Sequence, residues 1–202
     1  MLYEIAHIIR DRMPWLWQMT DRVNSMLFTL RYGQKVKRIE KMWDEDIPYT
    51  IVPLRNYDMA TISCFFARQP AEAFRFFRPH GFDERSIRQL QGNRAFLAYM
   101  LEKDGTLVGY FFLRSFFWGK CFRGRMVDID WRGKGLGTLM NRLMNRLGFG
   151  LRMHIFETVS TENVASLKSA QAASDIRVVK HLPDHDLYIE VLPNKNNDEM
   201  DF

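Results

Sequence analysis

The spacing of apolar residues changes character near position 47. Ahead of it, Leu2, Ile5, Ala6, Ile8 and Ile9 recur at helical intervals, and after Pro14 so do Leu16, Met19, Val23, Met26, Leu27 and Leu30. Gly33 should end this second helix, Gln34 to Met42 should add a short basic one, and Asp44-Glu45-Asp46 reads as a linker. From Pro48 onward, strand-like runs alternate with helical ones. Tyr49 to Leu54 predicts a strand, and Asp58 to Arg68 and Asp83 to Gln91 predict helices opened by aspartate caps. Ala95 to Glu102 and Leu107 to Phe117 predict strands joined at Asp104-Gly105, a hairpin turn pair. A strand over Met126 to Asp130 leads to a helix with Leu139, Met140, Leu143, Met144 and Leu147 on one face, ended by Gly148 and Gly150. Met153 to Val159 (strand), Glu162 to Ser174 (helix), and the strands Ile176 to Lys180 and Asp186 to Leu192 follow. This divides the chain into a helical extension over 1–46, an α+β domain over 47–193 with about seven strands, and an acidic disordered tail over 194–202.

Between the fourth predicted strand and the amphipathic helix stands Arg132-Gly133-Lys134-Gly135-Leu136-Gly137. Three glycines in six residues let the backbone turn tightly and aim several N–H groups one way. The helix behind them adds unpaired amides and the positive end of its dipole. The product is a phosphate cradle flanked by Arg132 and Lys134. It is not the dinucleotide fingerprint G-x-G-x-x-G, because the third glycine arrives one residue early, and the P-loop pattern is absent. A tight strand-to-helix turn without a ligand is the alternative.

Charge refines this picture. The 202-residue chain carries a modest net +5, but Lys103 to Arg152 is strongly basic around the glycine loop, which suits a polyanionic ligand. No reader motif or helix-turn-helix pattern accompanies it, so a nucleic-acid partner is not expected. Aromatic residues reach 14%, enough for a thick core or an apolar groove. Cys64 and Cys121 have no zinc spacing and sit among apolar residues, so both are expected to be buried free thiols in a reducing, cytoplasmic setting; no metal is expected. Glu4, Arg10 and Asp11 interrupt any signal-peptide core, and no apolar run approaches a bilayer's span. Residues 1–43 carry an apolar stripe with Trp15, Trp17 and Phe28 beside basic residues, read as a peripheral membrane contact or as packing on the domain or in a homodimer.

Arg132, Gly135 and Gly137 also fit the pattern Arg/Gln-x-x-Gly-x-Gly/Ala, and Asn163-Val164-Ala165-Ser166 fits an Asn-x-x-Ala/Ser run after the following strand. With the element order over residues 48–193, this resembles the GNAT superfamily of acyl-CoA N-acyltransferases. The resemblance implies a GNAT-type mixed, mostly antiparallel sheet flanked by helices. It implies that the amides of Arg132, Gly133, Lys134, Gly135, Leu136, Gly137 and Thr138 hold the pyrophosphate of acetyl-CoA. Main-chain groups at Val127 and Ile129 would then meet the thioester arm, with Asn163 and Ser166 near the pantetheine; helix capping is the alternative role for Asn163.

Transfer of an acetyl group to a primary amine needs a neutral amine, donors for the oxyanion and stabilisation of the departing thiolate. Asp128 is the first candidate base, because the strand it sits on should carry the thioester; pairing with Arg125 or Arg123 is its alternative. Glu157 on the neighbouring strand is the second, and His80, in Arg78-Pro79-His80-Gly81-Phe82, the third. The family's usual thiolate-protonating Tyr position falls on Ala170, and residues 160–187 hold no tyrosine. An acyl-CoA-binding module without efficient turnover, and a membrane-surface adaptor, are therefore the competing readings. The acceptor is expected to be a primary amine on a small molecule, with an amino sugar suggested by a likeness around Arg78-Pro79-His80-Gly81-Phe82; protein N-termini and lysines are the alternatives.

Overall fold

The computed structural model describes residues 14–43 and 47–193, and for residues 14–17 only the backbone. The first predicted helix, the Asp44–Asp46 linker and the tail after 193 lie outside the described residues. One helix, α1 (Pro14–Lys41), runs through Gly33 without a break. A glycine inside a helix costs only about 1 kcal/mol, and Tyr32 and Val36 on either side of it are buried, so packing overrides the local stop signal.

The domain follows as β1 (Thr50–Pro53), α2 (Met59–Ala67), α3 (Glu84–Gly92), β2 (Phe96–Lys103), β3 (Thr106–Phe116), β4 (Lys120–Val127), α4 (Leu136–Gly150), β5 (His154–Ser160), α5 (Val164–Gln171), β6 (Asp175–His181) and β7 (Asp186–Leu192). The seven strands form one sheet in the order β1-β2-β3-β4-β5-β7-β6. Every neighbouring pair is antiparallel except β4 and β5, which run parallel. Local signals explain many boundaries. Asp58 and Asp83 cap α2 and α3 by accepting from the Thr61 and Ser86 amides. Asp104 and Gly105 both take positive φ, 50° and 76°, as a tight primed hairpin turn requires. The strand expected at Met126 begins earlier, at Lys120, and ends at Val127; Ile129–Trp131 is a single 3₁₀ turn.

Alternation along the strands builds two cores. Leu97, Tyr99, Leu101, Phe111 and Leu113 face the layer of α1 and α4. Phe96, Ala98, Met100, Tyr110 and Phe112 face α2 and α3. The register slips where Glu102 pairs with Leu107, leaving Val108 as an extra residue that joins the α4 side. α1 docks through Asn24, Phe28, Tyr32 and Val36, which repeat every fourth residue and are buried. Asn24 clamps the end of β3, donating to the Ser115 carbonyl and accepting from the Phe117 amide. Met19, Val23, Met26 and Leu30, from the apolar stripe expected to pack, face outward instead. The face that turns in combines the buried rings of Phe28 and Tyr32 and the Val36 side chain with the two bonds of Asn24. Cys121 is buried as expected, whereas Cys64 is exposed, because Ile62, Phe65 and Phe66 take the buried face of α2.

Met140 anchors α4 to the sheet. It is fully buried, and its Sδ lies 2.9 Å from where a Cβ on Gly109 would stand. Met140→Ala is expected to lower unfolding stability by about 2–5 kcal/mol, measured by chemical denaturation; an unchanged midpoint would mean that α4 is not held by this contact.

Candidate active site

The glycine loop is shaped at both ends. At its start, Asp128 is almost fully buried and caps the Ile129–Trp131 turn, its Oδ1 accepting from the Asp130 amide at 3.1 Å. Its Oδ2 accepts from Arg68 Nε and Gln69 Nε2, both at 2.7 Å. Arg68 also donates to the Leu107 carbonyl, and Gln69 Oε1 accepts from the Ile129 amide at 3.1 Å. The C-terminal end of α2 therefore braces the root of the loop. Both carboxylate oxygens of Asp128 are committed, which is the arrangement of a structural anchor rather than of a free base. The partner is Arg68, not Arg125 or Arg123. The Ile129 amide, expected to meet a thioester, is spent on Gln69.

At the far end Gly133 and Gly135 take φ of 76° and 80°. No atom lies within 4 Å of a Cβ built on either one. Glycine is needed there for its backbone geometry, and the space beside it is open. Gly135 precedes α4, and the Leu139 amide returns to its carbonyl at 3.0 Å. The amides of Leu136, Gly137 and Thr138 thus lie ahead of the first intrahelical bond, and a glycine has no side chain to cap them. Arg132 is exposed beside them. Lys134 folds back instead, its Nζ 3.2 Å from the Asp130 carbonyl and 4.4 Å from the Trp131 ring centroid.

Beyond the loop the sheet splits. β4 and β5 pair only from Lys120↔His154 to Phe122↔Phe156. Past that point β4 stays with β3 while β5 stays with β7. The Asp128 amide donates to the Val108 carbonyl. Strand alternation therefore turns the Val127 and Arg125 amides to the opposite edge, where β5 has already diverged. This free edge is one that an extended chain can join as an added strand.

Three buried charges stand in the wedge on the α4 side. Glu157 Oε2 accepts from Arg123 Nε at 2.7 Å, and its Oε1 accepts from Arg125 Nη1 at 3.0 Å. Burial alone would push the Glu157 carboxyl up, but the two guanidiniums more than offset this and hold it below the ordinary carboxylate range. A carboxylate held ionised by two cations is a weak base, so Glu157 is another structural group. Arg123 also donates to Asn145 on α4, and Arg125 reaches α5, donating to the Ser166 carbonyl and to the Ser166 and Ser169 hydroxyls. Asn163 caps α5 by accepting from the Ser166 amide at 3.1 Å, so the capping alternative describes it. Arg68, Gln69, Arg123, Arg125 and Asn145 were not among the expected site residues. The available signal was Arg123 and Arg125 two apart in an otherwise strand-like run, with Glu157 charged on the next strand.

His80 lies elsewhere, under the loop before α3. Its Nδ1 faces the Gly81 carbonyl at 2.8 Å, which can only accept, so that nitrogen carries the proton. Nε2 then accepts from the fully buried Tyr110 hydroxyl at 2.8 Å. The ring packs among Phe82, Phe96 and Phe112. Next to it a groove of about 490 Å³ opens between α2 and the start of α3, lined by Ser63, Phe66, Ala67, Phe74, Phe82, Asp83 and Glu84. The structure does not bring His80 to the wedge in which Glu157 sits.

No family model matches the sequence, and no curated protein matches it at a significant level. Solved structures do match it. AAC(6')-Ib, solved with paromomycin and acetyl-CoA, superposes with a TM-score of 0.58 at 16% identity, covering 77% of this chain and 99% of its own. The N-acetyltransferase PseH of Campylobacter jejuni gives 0.55 at 14% identity, over 72% and 98%. A chimera of the spermidine N-acetyltransferase SpeG of Vibrio cholerae with hSSAT gives 0.58 at 20%, over 72% and 96%. The chain has the GNAT fold. The glycine loop stands directly ahead of α4, between β4 and the amphipathic helix, as the sequence order predicted. Among the described residues no group of His, Cys, Asp or Glu is arranged to hold a metal, and no helix is long and apolar enough to cross a membrane.

Burial holds the His80 imidazole below its ordinary 6.5. Folding therefore favours the neutral ring, and its contribution is full above the unfolded value and is lost as pH falls toward the folded one. The thermal midpoint of the wild type should decline more steeply than that of His80→Gln between about pH 7 and pH 5. Parallel curves would show that His80 titrates as it does in the unfolded chain.

Proposed function

We propose that the protein is an N-acetyltransferase that takes an acetyl group from acetyl-CoA and passes it directly to a small primary amine. The observation that carries this reading is the pairing of an uncapped helix start behind two positive-φ glycines with a β4 edge left free by β5. The Leu136–Thr138 amides and Arg132 are suited to the diphosphate, and the Val127 and Arg125 amides to the pantetheine arm. The neighbours crystallised with acetyl-CoA or CoA support this cofactor. Amine acceptors are supported by the spermidine N-acetyltransferase chimera and by AAC(6')-Ib solved with kanamycin.

The reaction joins the amine nitrogen to the thioester carbon and releases the thiolate. Asp128, Glu157 and His80 are each committed to structural partners, so in this reading solvent supplies the amine in its neutral form. Ala170 is buried at the place of the usual acid. That residue favours the second reading, a CoA-binding module that does not turn over.

Two measurements test the assignment. Gly135→Val places a β-branched residue at φ of 80°. That strain, about 1–2 kcal/mol, should weaken CoA binding roughly tenfold by calorimetry; wild-type affinity in this variant would remove the cradle from the reading. With an amine panel, thiol release from acetyl-CoA should rise about tenfold per pH unit below the amine's own pKa, without an enzyme-borne inflection. An inflection near neutrality would restore a protein base, and CoA binding with no thiol release would establish the second reading.

A further inference from the structure

The Arg123–Glu157–Arg125 cluster does more than join two strands. It holds two guanidiniums against one carboxylate, so it carries a net positive charge where water is excluded; the Arg123 side chain is 0% exposed and those of Arg125 and Glu157 6% each. A buried net charge is costly unless an opposite charge meets it. Two further observations show that the site is incomplete. Arg123 Nη2 is buried with no hydrogen-bond partner. Asn141, fully buried on the α4 stripe between Gly137 and Asn145, leaves both its amide atoms without one. Gly137 and Asn145 bracket the cluster: a Cβ on Gly137 would lie 3.7 Å from Arg125 Nε, and Asn145 Oδ1 accepts from Arg123 at 2.6 Å.

Among the described residues, none that is bonded to the cluster adds a second negative charge. β4 presents Arg123, Arg125 and Cys121, whose thiol is pushed up to about 12 by burial and stays neutral. β5 presents Glu157, α4 presents Asn141 and Asn145, and α5 presents the Ser166 and Ser169 hydroxyls. The Ser169 proton is directed to the Ser166 carbonyl at 2.9 Å, so this hydroxyl is not a ready acid. Asp128, just past the end of β4, is bound to Arg68 and Gln69.

We propose that this cluster, through Arg125, is the counter-charge for the sulfur of CoA, and that it replaces a proton donor to the leaving group. The inference rests on the acetyl-CoA reading above. An arm paired with the Val127–Arg125 edge brings its sulfur to the strand that carries the Arg125 side chain. In the transfer step the amine lone pair forms the C–N bond. The C–S bond breaks and its electron pair stays on sulfur as thiolate beside the guanidinium. The amine's proton goes to solvent, and the thiolate takes one from solvent on release. No acid on α5 is then required, which accounts for the alanine at position 170.

The test compares CoA with desulfo-CoA, which keeps the diphosphate and the arm but lacks the sulfur. Binding of each to the full chain is followed by calorimetry across the thiol's titration range, with thiolate absorbance read in parallel. In the wild type the bound thiol should ionise about one to two units below free CoA, so that CoA gains on desulfo-CoA as pH rises from the bound to the free pKa and above the free pKa binds about 10–100-fold more tightly. Arg125→Gln should abolish that preference while desulfo-CoA still binds, and Arg125→Lys should keep part of it. Equal affinity of the wild type for both compounds at every pH would overturn the inference and leave the cofactor reading standing. Binding of neither would overturn both. The wild-type comparison decides the matter even if Arg125→Gln does not fold.

Discussion

One carboxylate between two guanidiniums sets the geometry on which the rest depends. β4 and β5 share a ladder for three residues and then separate, each keeping its outer neighbour. Two strands that diverge inside a sheet give up backbone hydrogen bonds, and such an edge must be held open or it will close or attract another chain. Glu157 spans the opening, tied to Arg123 and to Arg125, which sit two apart on β4. Side-chain reach, not the backbone spacing of about 4.8 Å, then fixes the separation. Removing one partner of such a buried set leaves an uncompensated ion and costs about 3–5 kcal/mol. Arg125 extends the tie to α5, and Arg123 extends it to α4.

The glycine loop depends on a second tie of the same kind. Asp128 is pinned by Arg68 and Gln69, which directly follow α2, and the turn after it is fixed before the glycines are reached. The loop therefore leaves β4 in a set direction, and α4 begins with its free amides over the opening. One aspartate thus ties the segment that follows α2 to the start of the loop that leads into α4. This is a different use of Asp128 from the one its place on the strand suggested. The distinction lies in its partner, Arg68, sixty residues earlier.

What could be read from the sequence was what local chemistry decides. The aspartate caps, the Asp104-Gly105 turn, the glycine loop and the order of strands and helices each rest on residues a few positions apart, and the structure shows each of them. What could not be read depends on packing between distant segments. Gly33 signals a stop that the burial of Tyr32 and Val36 overrides. Asn24, a polar residue, sits at the centre of the docking face of α1, while the more apolar Met19, Val23, Met26 and Leu30 face outward. β4 hid its length because Arg123 and Arg125 break the apolar alternation by which a half-buried strand is recognised. The same two residues, with Glu157, were the sign of the wedge, but an ion cluster becomes legible only when its members are known to be neighbours.

The alanine at position 170 weighs little against turnover. A cysteine thiol ionises near pH 8.5, so at neutral pH a proton donor improves such a leaving group by about 2 kcal/mol, and a less acidic alkyl thiol by somewhat more. Opposite charges about 4 Å apart at a partly screened site interact by about 4 kcal/mol before the cost of desolvation. A fixed cation is therefore comparable to an acid for this departure. The guanidinium has a further property that an acid lacks. It cannot be deprotonated in this range, so its effect on the sulfur does not fade as the pH rises to the region where the amine becomes nucleophilic. A site without a protein base works best where the amine is neutral, and a permanent cation is the leaving-group partner that remains effective there.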